Sequence, residues 1–241
     1  MKFERKSLST DVLIIGGGIC GLTAAISIKE NSPETEVLIM EKQTSGYSGK
    51  ANKGGGVLHY FDLSKVTPEA FTEFHVHTVG AYFGDQDMMK KYVSMNNHML
   101  DKLEEWGVRV PRNEDGSFKV LQAGSMTGMI GVDLDITLKT RATAAKLGVK
   151  IIDKTTMSDL LTDEGKIVGA CGYSLLDGTF YDIAAKAVVL ATGLVPMWSS
   201  ARGDGIAAAY RAGVEMRNPE FGNFAQLVKV RTHQVSYLAK M

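Results

Sequence analysis

The most constraining feature of this sequence is residues 11–25, which read DVLIIGGGICGLTAA. The residues before the glycines are almost all apolar, as in a short strand that is buried on both faces of a parallel sheet. The residues after the glycines, CGLTAAISIKEN, favour a helix. Gly16, Gly18 and Gly21 stand between the two and fit the spacing G-x-G-x-x-G. The sequence therefore predicts a strand–turn–helix unit that binds the diphosphate of a dinucleotide.

Each glycine of this turn has a separate physical role. Gly16 lets the chain turn sharply out of the strand, and Gly18 has no Cβ atom, so that a diphosphate can approach the backbone. Gly21 lets the helix pack closely on the sheet. The free N–H groups and the partial positive charge of the helix N-terminus then attract the phosphates. The alternative is a glycine-rich turn of an unrelated α/β domain.

An acidic residue stands at the distance that the nucleotide-binding pattern requires. Residues 36–42, EVLIMEK, predict a second buried strand and complete a βαβ unit. Glu41 at the end of this strand follows Gly21 by about twenty residues, where a carboxylate can bind both hydroxyls of a ribose. A carboxylate at that place disfavours a 2′-phosphate and therefore NADP.

The glycine turn by itself does not distinguish NAD from FAD, but three further features favour FAD. The turn is close to the N-terminus. Residues 45–56, SGYSGKANKGGG, directly follow the second strand, and their glycines let a bulky ligand approach the backbone. An antiparallel region then leads into residues 187–193, AVVLATG. Residues 43–62 as a whole are predicted to be a loop, and a loop of this length tends to be functional.

The remaining pattern predicts one α/β domain. Thr67 and Pro68 begin a helix as its N-cap and first residue, and Gly107 and Gly148 end two further helices. The predicted fold class is α/β, a Rossmann-like FAD-binding domain with a central parallel sheet and a three-stranded antiparallel crossover meander. The strands predicted in the second half are residues 149–153, 157–162, 166–174 and 179–193, and a hairpin is predicted around residues 113–116.

Composition and charge exclude several other classes of function. The chain has 27 Lys and Arg residues and 27 Asp and Glu residues, so no basic surface for nucleic acid or an acidic membrane is expected. No apolar run is long enough to span a bilayer, and the charged N-terminus lacks the apolar core of a secretory signal. Cys20 and Cys171 match no metal-binding spacing, which predicts a reduced, cytoplasmic protein. His75 and His77 face different sides of a predicted helix, so no metal site is predicted.

The whole set of motifs resembles the flavoprotein subunit family of fumarate reductase and succinate dehydrogenase, which also contains L-aspartate oxidase and the adenylylsulfate reductase alpha subunit. The resemblance covers nearly the whole chain, but only the N-terminal, FAD-binding part of the family. Its most specific element is GDGIAAAYRAGVEMRNPEF at residues 203–221. The other matching motifs are IIGGGICGLTAA at residues 14–25, EK at 41–42, SGKANKGGG at 48–56 and VVLATG at 188–193.

The resemblance implies a set of residues that bind FAD. The glycine turn surrounds the diphosphate, and Glu41 binds the adenosine ribose, with Lys42 beside it. The backbone near Thr155 or Met157 meets the adenine edge. Asp204 acts near the flavin-side phosphate or the ribitol, and the alternative is that it only caps a helix. The implied cofactor-binding residues are Gly16, Gly18, Gly21, Glu41, Lys42, Ser48, Gly49, Gly54, Gly55, Ala191, Thr192, Gly193 and Asp204.

Two departures from the family's pattern carry their own expectations. Family members that bind FAD covalently have a histidine at the position of Gly49, so FAD is expected to be non-covalent here. An alternative to the implied cofactor-binding roles is that Ser48 and Gly49 are ordinary turn residues. In the same alternative, Thr192 is only a strand-end hydroxyl. The chain stops before the family's capping domain. Residues 1–225 are therefore expected to be an incomplete FAD-binding domain, and residues 226–241 the start of the missing part.

The resemblance implies an FAD-dependent oxidoreductase that transfers a hydride between flavin and an enoate- or dicarboxylate-like substrate, present here as its cofactor-binding part. The catalytic acid and the substrate arginines are expected outside this chain, so no catalytic residue is assigned. The alternatives are a truncated, non-catalytic nucleotide-binding module and an adenylylsulfate reductase-like flavoprotein subunit. An NAD-binding dehydrogenase domain is disfavoured by residues 48–56 and by the GDG segment. The expected partners are an iron–sulfur electron-transfer subunit and a small-molecule substrate, without nucleic acid or direct membrane insertion.

Overall fold

The computed structural model of the chain describes residues 4–52, 56–193 and 203–218. Within them the chain forms a six-stranded sheet, a three-stranded sheet and the helices that cover them. Two predicted site residues, Gly54 and Gly55, lie outside the described residues, as does the predicted domain boundary.

The predicted βαβ unit is present in the first part of the chain. It consists of strand β1 (Arg5–Ile15), helix α1 (Ile19–Asn31) and strand β2 (Val37–Met40). The two strands are parallel, with Val12 opposite Val37 and Ile15 opposite Met40. β1 begins earlier than predicted, because its first half pairs with residues 180–185, which are distant in the sequence.

A smaller layer of helices and strands follows β2. Its elements are strand β3 (Val57–Tyr60), helix α2 (Pro68–His75), a π-helical turn (Val76–Gly80), helix α3 (Gln86–Glu105), strand β4 (Leu121–Gln122) and strand β5 (Gly128–Gly131). The expectation that residues 43–62 form only a loop is wrong for residues 57–60, because antiparallel pairing with β5 makes them a strand. The predicted N-cap is confirmed, since the Thr67 hydroxyl accepts a hydrogen bond from the Ala70 N–H at 3.1 Å. The hairpin predicted around residues 113–116 closes on a single β-bridge.

The second half of the chain completes the large sheet. Its elements are helix α4 (Ile136–Lys146), strands β6 (Lys150–Ile152), β7 (Thr155–Asp163), β8 (Lys166–Ser174) and β9 (Phe180–Leu190), and helix α5 (Asp204–Arg211). The strand order is β6-β2-β1-β9-β8-β7, in which the first four strands are parallel. β7, β8 and β9 form the predicted antiparallel meander. The predicted fold class is therefore confirmed, and β9 belongs to both the meander and the parallel part.

Alternating residues of β1 face two separate halves of the core. Ile14 is fully buried on the face that packs against α1, together with Leu22. Leu13 and Ile15 are buried on the opposite face, in the cluster that contains Ala208 of α5. This alternation follows from the pleat of a strand, and each buried aliphatic side chain stabilises the fold by about 1.5–3 kcal/mol. Because helices cover both faces, the open place for a ligand is the edge where the parallel strands end.

Candidate cofactor-binding site

The glycine turn lies where β1, β2 and β9 end side by side. The Gly16 N–H donates a hydrogen bond to the Met40 carbonyl at 2.8 Å, and the Ala191 N–H donates to the Ile15 carbonyl at 2.8 Å. Gly16 has a φ angle of +107°, and a Cβ atom built on it would lie 2.4 Å from the Ala191 carbonyl oxygen. A larger residue at this position therefore combines an unfavourable backbone conformation with displacement of the chain after β9.

At the N-terminus of helix α1, no side chain accepts a capping hydrogen bond from the backbone N–H groups. Gly18 is its N-cap residue, no side chain caps the helix, and the first turn contains no acidic residue. A Cβ atom on Gly21 would lie 1.9 Å from the Gly16 carbonyl oxygen, so the helix packs directly on the turn. Among the described residues, no acceptor receives the Gly18 N–H. Uncapped N–H groups and the helix dipole together attract an anion such as a diphosphate.

Glu41 places its carboxylate at the same turn, as its spacing predicts. The residue is 6% exposed. One carboxylate oxygen accepts a hydrogen bond from the Gly17 N–H at 2.6 Å, and the other accepts one from the Gln43 N–H at 2.7 Å. A carboxylate has about four acceptor positions, so it keeps capacity for the hydroxyls of a ribose. Thr155 at the start of β7 lies beside it, since the Thr155 N–H donates to the Glu41 carbonyl at 2.9 Å.

The loop after β2 approaches the glycine turn from the other side. A Cβ atom on Gly18 would lie 3.9 Å from the Gly49 Cα, so the two backbones face each other closely. Ser48 is 4% exposed, and its hydroxyl has no hydrogen-bond partner among the described residues. An unpaired buried hydroxyl costs about 1–3 kcal/mol. A bound diphosphate would supply the missing partner, so this pair of backbones and this hydroxyl fit FAD.

Lys42 and Asp204 meet at the same edge of the sheet. Lys42 Nζ lies 2.5 Å from Asp204 Oδ2, and the two side chains are 39% and 43% exposed. Asp204 is the first residue of α5, Gly203 is the N-cap, and no side chain caps this helix. The alternative in which Asp204 only caps the helix is therefore not observed, because its carboxylate pairs with Lys42. The ion pair joins the end of β2 to a helix that follows much later in the sequence.

The residues after β9 lie between the glycine turn and α5. Ala191 contacts Gly16 as described above, and a Cβ atom on Gly205 would lie 2.3 Å from the Thr192 Oγ1. The Thr192 side chain therefore packs on the first turn of α5. Gly193 follows with a φ angle of +77°. All predicted site residues that the structure describes thus lie at one edge of the large sheet.

Sequence reasoning misses two residues at this edge. Ser45 is fully buried, and its hydroxyl donates a hydrogen bond to the Gly17 carbonyl at 3.1 Å. Asp153 accepts a hydrogen bond from the Ser45 N–H at 2.7 Å. The sequence does contain a signal for Asp153, because it follows a predicted parallel strand at its carboxyl end, as Glu41 does. Ser45 has no such signal, since only the folded loop brings it beneath the turn.

Other kinds of site are not found in the part of the chain that the structure describes. No group of three or more His, Cys, Asp or Glu residues there is arranged to hold a metal ion. None of the helices in residues 4–52, 56–193 and 203–218 has the length and apolar character that crossing a membrane requires. Cys20 and Cys171 are free cysteines, and burial raises the pKa of the Cys171 thiol.

Comparison with known proteins points to the same cofactor. The FAD binding domain family matches residues 11–234. Over 230 residues the chain is 29% identical to the 8-methylmenaquinol:fumarate reductase flavoprotein subunit of Wolinella succinogenes, with 90% of this chain and 38% of that protein covered. Over 229 residues it is 31% identical to the fumarate reductase flavoprotein subunit of Mycobacterium tuberculosis, with 88% of this chain and 38% of that protein covered.

Solved structures share the fold. Mycobacterium smegmatis Sdh1 in its apo form matches with a TM-score of 0.76 and 26% identity, over 87% of this chain and 39% of that one. Adenylylsulfate reductase from Archaeoglobus fulgidus matches with a TM-score of 0.74 over 88% of this chain and 37% of that one. Its identity of 23% makes this a likeness of fold alone. The chain spans 38% of the length of each of the two fumarate reductase subunits.

These matches confirm the predicted family and the predicted cofactor, FAD. The role of each individual site residue stays a prediction. The arrangement of the glycine turn, Glu41 and Ser48 fits this cofactor. Because the FAD binding domain family matches residues 11–234, which is most of the chain, the chain belongs to that family, and it is similar to fumarate reductase flavoprotein subunits.

Proposed function

We propose that this chain is the cofactor-binding part of an FAD-dependent oxidoreductase of the fumarate reductase type, and that it binds FAD without a covalent bond. The observation that supports this most is the uncapped N-terminus of α1 beside the buried Glu41 carboxylate. When bound, FAD supplies hydride transfer to or from the C=C bond of an enoate- or dicarboxylate-like substrate. The contribution of these residues is to bind and orient the cofactor.

The binding of FAD is divided between three groups at the edge of the sheet. The Gly18 N–H and its neighbours in the first turn of α1 bind the diphosphate. The Glu41 carboxylate accepts hydrogen bonds from the ribose hydroxyls with the acceptor positions that the backbone leaves open. The Ser48 hydroxyl donates to a cofactor oxygen, which removes the cost of its unpaired state.

Titration of the flavin-free chain with FAD tests this function. We expect saturable quenching of flavin fluorescence with one FAD per chain, and no displacement by NAD. Acid precipitation of the complex is expected to release the flavin into the supernatant, because Gly49 stands where covalently flavinylated members have a histidine. Absence of FAD binding would refute the proposed function, whereas a yellow pellet would refute only the non-covalent attachment.

Lys42 offsets the charge of Asp204 next to an anionic cofactor. The diphosphate of FAD is negative, so an uncompensated carboxylate at the start of α5 repels it. The ion pair of 2.5 Å removes most of that repulsion while leaving the oxygens of Asp204 as acceptors for cofactor hydroxyls. Both side chains are partly exposed, so solvent limits the size of this effect.

The Lys42→Met variant is expected to bind FAD about tenfold more weakly, because Asp204 then faces the diphosphate without a partner. The double variant Lys42→Met with Asp204→Asn is expected to recover most of this loss. Flavin fluorescence gives both affinities. Lys90→Met, which breaks an exposed pair with Asp87 on α3, is the matched control. A double variant that binds as weakly as Lys42→Met would contradict the role of Lys42 as compensating charge.

A second candidate function is a module that holds FAD but converts no substrate. It is favoured by the site residues themselves, because the groups described at this edge of the sheet, such as Glu41 and Ser48, fit the binding of a cofactor and none of them is assigned a catalytic role. Reduction of the bound FAD with dithionite, followed by fumarate in the absence of oxygen, distinguishes the two functions. Reoxidation by fumarate supports an oxidoreductase, and a cofactor that stays reduced supports the holding module.

We also propose an iron–sulfur protein as the partner in electron transfer. The fumarate reductase relatives are named as flavoprotein subunits, which supports a partner subunit. The sequence contains only two cysteines, Cys20 and Cys171, too few to hold an iron–sulfur cluster. Both are free, in keeping with a reducing, cytoplasmic compartment.

A further inference from the structure

A buried hydroxyl supports the glycine turn from below. Ser45 is fully buried, and its hydroxyl donates a hydrogen bond to the Gly17 carbonyl at 3.1 Å. The Gly46 N–H donates to the same carbonyl at 3.3 Å. A Cβ atom on Gly17 would lie 2.6 Å from the Ser45 Oγ, so the hydroxyl is in direct contact with the turn. The Gly17 carbonyl therefore has two donors that hold it in one direction.

Ser45 and Gly46 are themselves held by α4 and by the end of β6. Asp153 Oδ1 accepts a hydrogen bond from the Ser45 N–H at 2.7 Å, and Asp153 Oδ2 accepts one from Arg141 at 3.2 Å. The Thr137 hydroxyl donates to the Gly46 carbonyl at 2.6 Å. The loop beneath the turn is thus fixed to two elements that do not belong to the first βαβ unit.

The direction of the Gly17 carbonyl decides the direction of the next N–H. In a trans peptide the carbonyl and the following N–H point to opposite sides of the planar unit. With its carbonyl held towards Ser45, the Gly17–Gly18 peptide directs the Gly18 N–H away from Ser45. The Gly17 N–H is held as well, by Glu41 at 2.6 Å. Rotation of the Gly17–Gly18 peptide would break both hydrogen bonds to the Gly17 carbonyl, and the preceding peptide, which contains the Gly17 N–H, is fixed by Glu41.

We propose that Ser45 and Asp153 are positioning residues that hold the Gly18 N–H in the direction needed for the FAD diphosphate. This inference rests on the proposed function, because the diphosphate is the group that this N–H binds. Neither side chain needs to touch the cofactor. Ser45 acts through the Gly17 carbonyl, and Asp153 acts through the backbone of Ser45.

The test is the variant Ser45→Ala in the purified chain. We expect FAD to bind roughly fivefold to tenfold more weakly, the effect of losing one buried hydrogen bond of ordinary strength. We also expect a change in the ³¹P chemical shift of at least one of the two phosphorus atoms of bound FAD. A merely structural role would lower the thermal stability but leave both ³¹P shifts unchanged. Asp153→Ala is the second variant. We expect it to lower the FAD affinity and to change the ³¹P chemical shifts in the same direction as Ser45→Ala, but by less.

Ser94→Ala is the matched control, because it removes an exposed hydroxyl that bonds only within α3. It should leave the FAD affinity and both ³¹P shifts as in the wild type. Wild-type affinity and unchanged ³¹P shifts in Ser45→Ala would overturn the inference while the proposed function stands. If the wild-type chain itself binds no FAD, the proposed function fails and this inference fails with it.

Discussion

Replacing Glu41 by alanine is expected to abolish measurable FAD binding and to lower the free energy of unfolding by about 3 kcal/mol. The carboxylate is buried and accepts hydrogen bonds from the N–H groups of Gly17 and Gln43. Its removal leaves these N–H groups without their acceptor and removes the proposed ribose contact. Hydrogen bonds to a charged group contribute about 1.5–3 kcal/mol each, so the expected loss is large.

Urea unfolding measures the stability of the Glu41→Ala variant, and flavin fluorescence measures its FAD affinity. The control is Glu34→Ala, which removes an exposed carboxylate from the loop before β2 and should change neither quantity by more than about 0.5 kcal/mol. If Glu41→Ala bound FAD as tightly as the wild type, the ribose would have to lie away from the glycine turn. The proposed site would then be wrong.

Replacing Gly16 by alanine is expected to have the second large effect. The added Cβ atom would lie 2.4 Å from the Ala191 carbonyl oxygen, and the φ angle of +107° is unfavourable for alanine. Together, strain and overpacking are expected to cost about 2–5 kcal/mol of unfolding free energy. Because the turn must move to relieve the contact, FAD binding is expected to be lost as well.

A second glycine separates the two causes of this loss. Gly107 has a φ angle of +80°, and a Cβ atom on it would meet no atom within 4 Å. Gly107→Ala should therefore show the cost of backbone strain alone, about 1 kcal/mol, with FAD affinity unchanged. Urea unfolding and FAD titration of both variants give the comparison. Equal stability losses in the two variants would contradict the argument from the Ala191 contact.

Much of the candidate site is predictable because it depends on short-range pattern. The strand, turn and helix around Gly16 occupy consecutive residues, and Glu41 follows at a spacing set by the length of one helix. The N-cap role of Thr67 is equally local, and the structure confirms it, since the Thr67 hydroxyl accepts a hydrogen bond from the Ala70 N–H at 3.1 Å. By contrast, the sequence pattern predicts a loop at the residues that form β3. Four residues carry too little periodicity to predict a strand when the pairing partner, β5, is remote.

The sequence by itself therefore determined the βαβ unit, the glycine turn, the acid beside it and, through the family's motifs, FAD as the cofactor. Only the tertiary structure decided that Lys42 pairs with Asp204, 162 positions later, and that Ser45 holds the carbonyl of Gly17. It also decided that the Ser48 hydroxyl is buried without a partner among the described residues. The physical reason is that backbone conformation follows from neighbouring residues, whereas contacts between distant residues depend on the order in which strands join the sheet.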